Sequence, residues 1–207
     1  VLMNKMAEIP VGEQFVIMLR CGITGIKTSR TQEAKKALIR AMAIDPHNPE
    51  MNYNLGYVYY LDKEYEKAIG HFKKTLVTQV SNVLALKYLG QAYQKMHKYS
   101  DAIPSLQKAM EIKPDDKEVL FALGECFYEI GQTEKCLKIL DRLRADPSFG
   151  AQSSLYTGMI RAKAGQYKEA KEDFTIGLKH MNVPLDIAND LRYRLAQVNI
   201  KLGDIPK

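Results

Sequence analysis

The sequence predicts an all-α fold, a solenoid of stacked antiparallel helix pairs with no sheet. Three observations carry that prediction. Gly22, Gly56, Gly90, Gly124 and Gly158 stand 34 residues apart without exception. Twelve residues after each comes a small side chain (Ala34, Ala68, Ala102, Cys136, Ala170), and four further on a large apolar one (Leu38, Phe72, Leu106, Leu140, Phe174). Between the two sets lies a short turn: Asp62-Lys63-Glu64, His97-Lys98, Gly131-Gln132 and Gly165-Gln166. A period of this length is one helical hairpin. A hairpin cannot bury a core alone, so successive ones must stack.

Each hairpin can be justified in order. In the first, about 15–48, Cys21-Gly22 and Gly25 stand where later units carry a leucine and an aromatic residue, and the first helix is expected over about 13–27. In the second, about 49–82, Leu55, Gly56 and Tyr59 share one side of a helix by three- and four-residue spacing, and Ala68, Phe72 and Thr75 do the same on the next. The third, about 83–116, repeats this with Leu89, Gly90 and Tyr93, and the fourth, about 117–150, with Leu123, Gly124 and Phe127. Cys136 takes the small slot of the fourth. The fifth, about 151–184, has Thr157 and Arg161 at the leucine and aromatic slots. Leu185 to Leu202 reads as a lone final helix, a cap or the first half of a sixth unit. Small residues let two backbones approach and large ones fill the space between. Glycine at the first helix's end suits a left-handed cap, and Pro46, Pro114 and Pro147 stop the second helices. We expect one domain over 13–207 with residues 1–12 as a leader.

Leu-Gly-x-x-Tyr, then Ala-x-x-x-Phe, then Pro, on this period, resembles the tetratricopeptide repeat, over about residues 15–184 as five units. The resemblance implies a right-handed superhelical solenoid, with the first helix of each pair lining a concave groove where partner segments bind. On those first helices, slots spaced i, i+4, i+7 remain after the packing face is assigned. They are Tyr53, Tyr57 and Tyr60; Lys87, Gln91 and Gln94; Phe121, Glu125 and Tyr128; and Leu155 and Met159, followed by Ala162. Tyrosine joins a flat apolar face to a hydroxyl and serves recognition well; packing against the neighbouring helix is the competing reading. Amides at Gln91 and Gln94 would satisfy the backbone of a bound segment. Some members of the family grip chaperone C-terminal carboxylates with Lys-x-x-x-Asn in one first helix and Lys-x-x-x-Arg two repeats later. Here those places hold Tyr53 and Tyr57, Lys87 and Gln91, and Glu118 and Ala122, so chaperone tails are not expected as partners.

Composition agrees with a folded chain: 46% of residues are hydrophobic and 26% charged. The longest apolar runs, such as Phe15 to Leu19, are too short to span a bilayer. The net charge of +6 is mild and uneven, six basic residues against two acids in 15–48 but five against six in 117–150, which reads as solvated helix surface. RNA-reading helical repeats use one recurring polar set per repeat; the slots here change from Tyr to Lys to Phe to Leu, which counts against specific nucleic-acid binding.

Catalysis needs convergent polar groups. His47, His71, His97 and His180 fall in turns or on second helices of different units, with no carboxylate at recurrent spacing, and read as surface residues. No zinc-protease, hydrolase or dinucleotide motif is present. Residues 22–28 suggest a phosphate loop but lack its Gly-Lys-Ser/Thr order and preceding strand. We therefore expect no enzyme, no catalytic residues, no cofactor and no metal. Cys21, Cys126 and Cys136 are an odd set without metal-type spacing and favour a reducing, cytoplasmic compartment. Cys126 and Cys136 read as core residues. Val1 and Pro206-Lys207 read as the ends of an excised piece. The expected function is a protein-interaction module or assembly scaffold with a protein or peptide partner. The alternatives are homo-oligomeric assembly through solenoid ends and the targeting arm of a larger enzyme.

Overall fold

A computed structural model describes residues 9–204. Among them are eleven α-helices and no strand: α1 (Val11–Lys27), α2 (Thr31–Ile44), α3 (Pro49–Leu61), α4 (Tyr65–Thr78), α5 (Val83–Lys95), α6 (Tyr99–Ile112), α7 (Lys117–Glu129), α8 (Thr133–Leu140), α9 (Gly150–Lys163), α10 (Tyr167–Lys179) and α11 (Leu185–Leu202). The expected leader lies largely outside the described residues, and Val11 and Gly12 already belong to α1. The helices form two compact units, one ending at Lys113 and the other beginning at Pro114.

The predicted hairpins form because three local devices recur with the sequence period. The first is a turn. Ser29, Lys63, His97, Gly131 and Gly165 have positive φ, between 58° and 77°. The amide that follows each one reaches back to a carbonyl five residues earlier: Arg30 to Gly25 at 2.8 Å, and Glu64 to Tyr59, Lys98 to Tyr93, Gln132 to Phe127 and Gln166 to Arg161 at 2.9 Å. These are Schellman turns, which close the first helix of each pair and reverse the chain. The second device is a cap. Asn48, Asn82 and Asp116 accept the amides of Met51, Ala85 and Val119 at 3.0, 2.9 and 3.2 Å, satisfying an open N–H of α3, α5 and α7.

The third device is a close contact inside each hairpin. A methyl group on Gly22, Gly56, Gly90, Gly124 or Gly158 would come closer than 3.0 Å to the side chain of Leu38, Phe72, Leu106, Leu140 or Phe174 respectively. The recurring glycine is thus the hole that the recurring large residue fills, which is why the two are locked sixteen residues apart.

In the first unit α1 packs on α2, α3 on α4 and α5 on α6, with α2–α3 and α4–α5 contacts joining the pairs. One core runs through Leu19, Leu38, Met51, Leu55 and Val58, another through Phe72, Ala85 and Leu89. In the second unit α7 packs on α8, and α9, α10 and α11 form a three-helix end around Leu155, Phe174, Leu191 and Val198.

The fourth hairpin departs from the pattern. Its second helix stops at Leu140, continues as a 3-10 turn (Asp141–Leu143), and α9 begins only at Gly150. Instead of an Asn or Asp cap on the sequence period, Asp146 closes this junction. It accepts the amides of Ser148 and Phe149 at 2.9 and 3.0 Å and pairs with Lys117 at 2.5 Å.

Candidate functional site

In the first unit the expected rings do not stand free. Tyr53, Tyr57 and Tyr60 on α3 are half-buried and belong to a cluster with Phe72, Tyr65 and Tyr88. Tyr53 and Tyr57 stack at 6.4 Å with 6° between planes. Tyr57 and Tyr60 flank Tyr88 of α5 at 4.8 and 5.4 Å, and Tyr60 meets Tyr65 edge-on at 5.7 Å. The competing reading, rings against a neighbouring helix, therefore holds in part: each ring meets an aromatic residue of α4 or α5 and is half-buried. Burial raises the Tyr53 phenol to about 12, so it stays a neutral hydroxyl at ordinary pH. Gln91 and Gln94 are also half-buried on α5. Lys87 is a correction to the expected open slot. It is only 7% exposed, and its ammonium lies 5.3 Å from the Tyr88 ring centre.

In the second unit Phe121, Glu125 and Tyr128 of α7 are half-buried against Tyr156 of α9. The Tyr156 hydroxyl donates to Glu125 Oε1 at 3.0 Å, and its ring lies 4.9 Å from Tyr128 and 6.2 Å from Phe121. Burial is the main cause that raises the Tyr156 phenol, with the Glu125 carboxylate adding to it. Leu155 is a second correction: it is 6% exposed, since α11 lies over this face of α9 and brings Leu191 and Val198 into the same core. Met159 remains half-buried. With Tyr128, Ala162, Phe174 and Val198 it lines a cleft of about 540 Å³ against α11. The slot pattern could not show this cleft, because one wall comes from the helix that follows the last repeat.

Two further arrangements were missed. Arg161, in the aromatic slot of the fifth repeat, places one nitrogen, Nη1, 2.6 and 2.5 Å from the two carboxylate oxygens of the fully buried Asp173, and Arg144 joins it at 2.6 Å. His71, read as a surface residue, is half-buried, and its Nδ1 lies 2.9 Å from Asn52 Oδ1. Asn52 spends its amide hydrogens on the Pro46 and Asn48 carbonyls, so Nδ1–H of His71 is the donor. Burial, with Lys74 nearby, lowers the imidazole to about 4. His180 is likewise half-buried, with Nε2 donating to the Arg144 carbonyl at 2.8 Å, whereas His47 and His97 are exposed. Among the described residues no three His, Cys, Asp or Glu side chains gather so as to hold a metal ion, and no helix is long and apolar enough to cross a membrane.

Comparison with known proteins follows this geometry. A tetratricopeptide-repeat family model matches residues 93–150, and a model of anaphase-promoting complex, cyclosome, subunit 3 matches 27–109. The chain carries tetratricopeptide repeats. It is 27% identical over 152 residues to TPR repeat-containing protein YpiA of Bacillus subtilis (strain 168), covering 71% of this chain and 35% of that protein. It is 26% identical over 117 residues to anaphase-promoting complex subunit 3 of Schizosaccharomyces pombe (strain 972 / ATCC 24843), covering 56% and 18% respectively. The chain thus spans about a third or less of these relatives. Among solved structures, MamA protein aligns over 84% of this chain and 100% of its own with a TM-score of 0.75 at 21% identity. YrrB, described as a TPR protein with an unusual peptide-binding site, aligns over 91% of both chains with a TM-score of 0.72 at 20% identity. These likenesses establish the fold. Tetratricopeptide repeats generally mediate protein–protein interaction.

Proposed function

We propose that the chain is a protein-interaction module that holds a partner segment against the aromatic face of α3 and α5. Tyr53, Tyr57 and Tyr60 supply rings there, and Gln91 and Gln94 supply amides. The observation that carries the reading is the half-burial of the tyrosine stripe. Each ring touches Phe72, Tyr65 or Tyr88 and stays partly exposed, so a partner meets pre-ordered rings and little side-chain entropy is lost on binding. Similarity in fold to a protein described as having a peptide-binding site supports the same reading. In the second unit Phe121, Tyr128 and Met159 are assigned to partner contact as well, while Glu125 is already engaged by Tyr156.

The test is selection of peptides from a random display library on the full chain, followed by affinity measurement. Tyr57→Ala is expected to weaken one class of the selected peptides by about 1–3 kcal/mol, as loss of a central anchor does. If every selected peptide binds Tyr57→Ala and Gln91→Ala as tightly as the parent, this face is removed from the reading.

A further inference from the structure

The cleft of the second unit differs in character from the tyrosine face. Its floor is apolar: Phe174 and Val198 are buried, and Met159 and Ala162 line it with them. Its rim is cationic. Lys163 at the end of α9 and Arg194 and Lys201 on α11 all line it, and no carboxylate does. Arg194 is held in place through Nε by Asp190 at 2.9 Å, which fixes the guanidinium and takes up the nearby acid. Lys163 and Lys201 are exposed and form no ion pair among the described residues. Ile200, also in the lining, stays 63% exposed.

Arg194 is balanced by Asp190, but Lys163 and Lys201 leave two positive charges beside the apolar hollow that no ion pair among the described residues offsets. Lys171, by contrast, is paired with Asp204 at 2.8 Å. The volume, about 540 Å³, is in the range of cavities that bury a ligand, roughly 300–1,000 Å³. An apolar side chain would desolvate the floor, and carboxylates beside it would meet the rim.

We propose that this cleft is a distinct docking site for a protein segment carrying a large apolar side chain flanked by acidic residues. The proposal rests on the reading of the chain as an interaction module but not on the tyrosine face. Charge complementarity selects the partner: a basic segment would be repelled by Lys163, Arg194 and Lys201, and a purely polar one would leave Phe174 and Val198 uncovered.

The experiment is a parallel display selection on the full-length parent, on a Lys163→Glu/Lys201→Glu variant and on Tyr57→Ala. Both lysines are exposed, so the double variant should fold, and circular dichroism checks that it does. Among the peptides enriched on the parent, one class should combine acidic residues with Leu, Ile, Met or Phe. The affinity of that class should fall about tenfold or more in the charge-reversed variant and weaken with salt. Tyr57→Ala should retain it, which separates this site from the tyrosine face. Methyl NMR should report Met159 shifting on titration. Absence of any acidic–apolar class among the enriched peptides, indifference of that class to charge reversal, or no enrichment on any form would overturn the assignment. So would displacement of the selected peptides by single-stranded RNA as readily as by their own unlabelled forms, since that marks a general polyanion surface.

Discussion

Gly70 and Gly124 show how little a residue type decides without its surroundings. Both lie inside helices, but a methyl group on Gly70 meets nothing within 4 Å, whereas one on Gly124 meets Leu140 Cγ at 2.6 Å. Gly70→Ala should therefore stabilise by about 0.5–1 kcal/mol, since a mid-helix glycine is entropically costly. Gly124→Ala should destabilise by about 1–3 kcal/mol through overpacking. Denaturant unfolding of the two variants gives opposite signs if the glycine-to-large-residue lock is real. A smaller effect is expected at Lys63, an exposed residue held at φ 62°. Lys63→Gly should stabilise by about 1 kcal/mol, because the left-handed conformation is strained for a residue with a Cβ.

Titration belongs to the same scale. The folded imidazole of His71 protonates at about 4, below the 6.5 of an unfolded chain. Between those values the unfolded state binds more protons, so this group's contribution to stability is complete above pH 6.5 and is lost as pH falls toward 4. His71→Gln should flatten that part of the stability–pH curve. The thiols of Cys126 and Cys136 move the other way: burial pushes both up to about 12. They bind protons that the unfolded chain releases near 9, so their contribution declines as pH rises from 9 to 12. Maleimide should label the exposed Cys21 in the native state and reach the other two only after unfolding.

At the scale of the element, α11 is the part whose role the repeat pattern could not supply. Among the described residues no helix follows it, and Ala188, Leu191 and Val198 are buried, with Leu191 and Val198 in one core with residues of α9 and α10. A chain ending at residue 184 should lose thermal stability in the second unit, because Leu155 and Phe174 would be uncovered; a melt of this variant against the parent checks it. The period in the sequence made the hairpins, their turns and the filling of each glycine hole legible, since those depend on residues at most sixteen apart. It did not reveal that α8 stops at Leu140, that Arg161 exchanges ring packing for an ion pair with Asp173, or that Leu155 is covered. Each of these depends on a partner outside the slot logic: the Asp146 junction, Arg144 from the preceding hairpin and α11. The tyrosine stripe was placed on its helix correctly, but its half-burial required knowing where Tyr88 of the next repeat falls.

At the scale of the whole molecule, contacts run from each helix mainly to its neighbours along the chain, and this determines how damage spreads. In the first unit Leu38 is fully buried in the core shared by α1, α2 and α3, while the core of Phe72, Ala85 and Leu89 is built from other residues. Leu38→Ala removes a side chain that fills the hollow beside Gly22, and should cost about 2–5 kcal/mol for a cavity of that kind. In a globular domain with one core the loss would appear at every protected amide. In a stack of repeats, stability is a sum of local and nearest-neighbour contributions, so the loss should be concentrated near its source. Hydrogen exchange followed by peptide mass spectrometry should show protection falling most in α1 and α2, less in α3, and least in α5 and α6. A uniform fall across all six helices would mean that the first unit unfolds as one cooperative body, and that the independence implied by its repeating contacts is not expressed in its energetics.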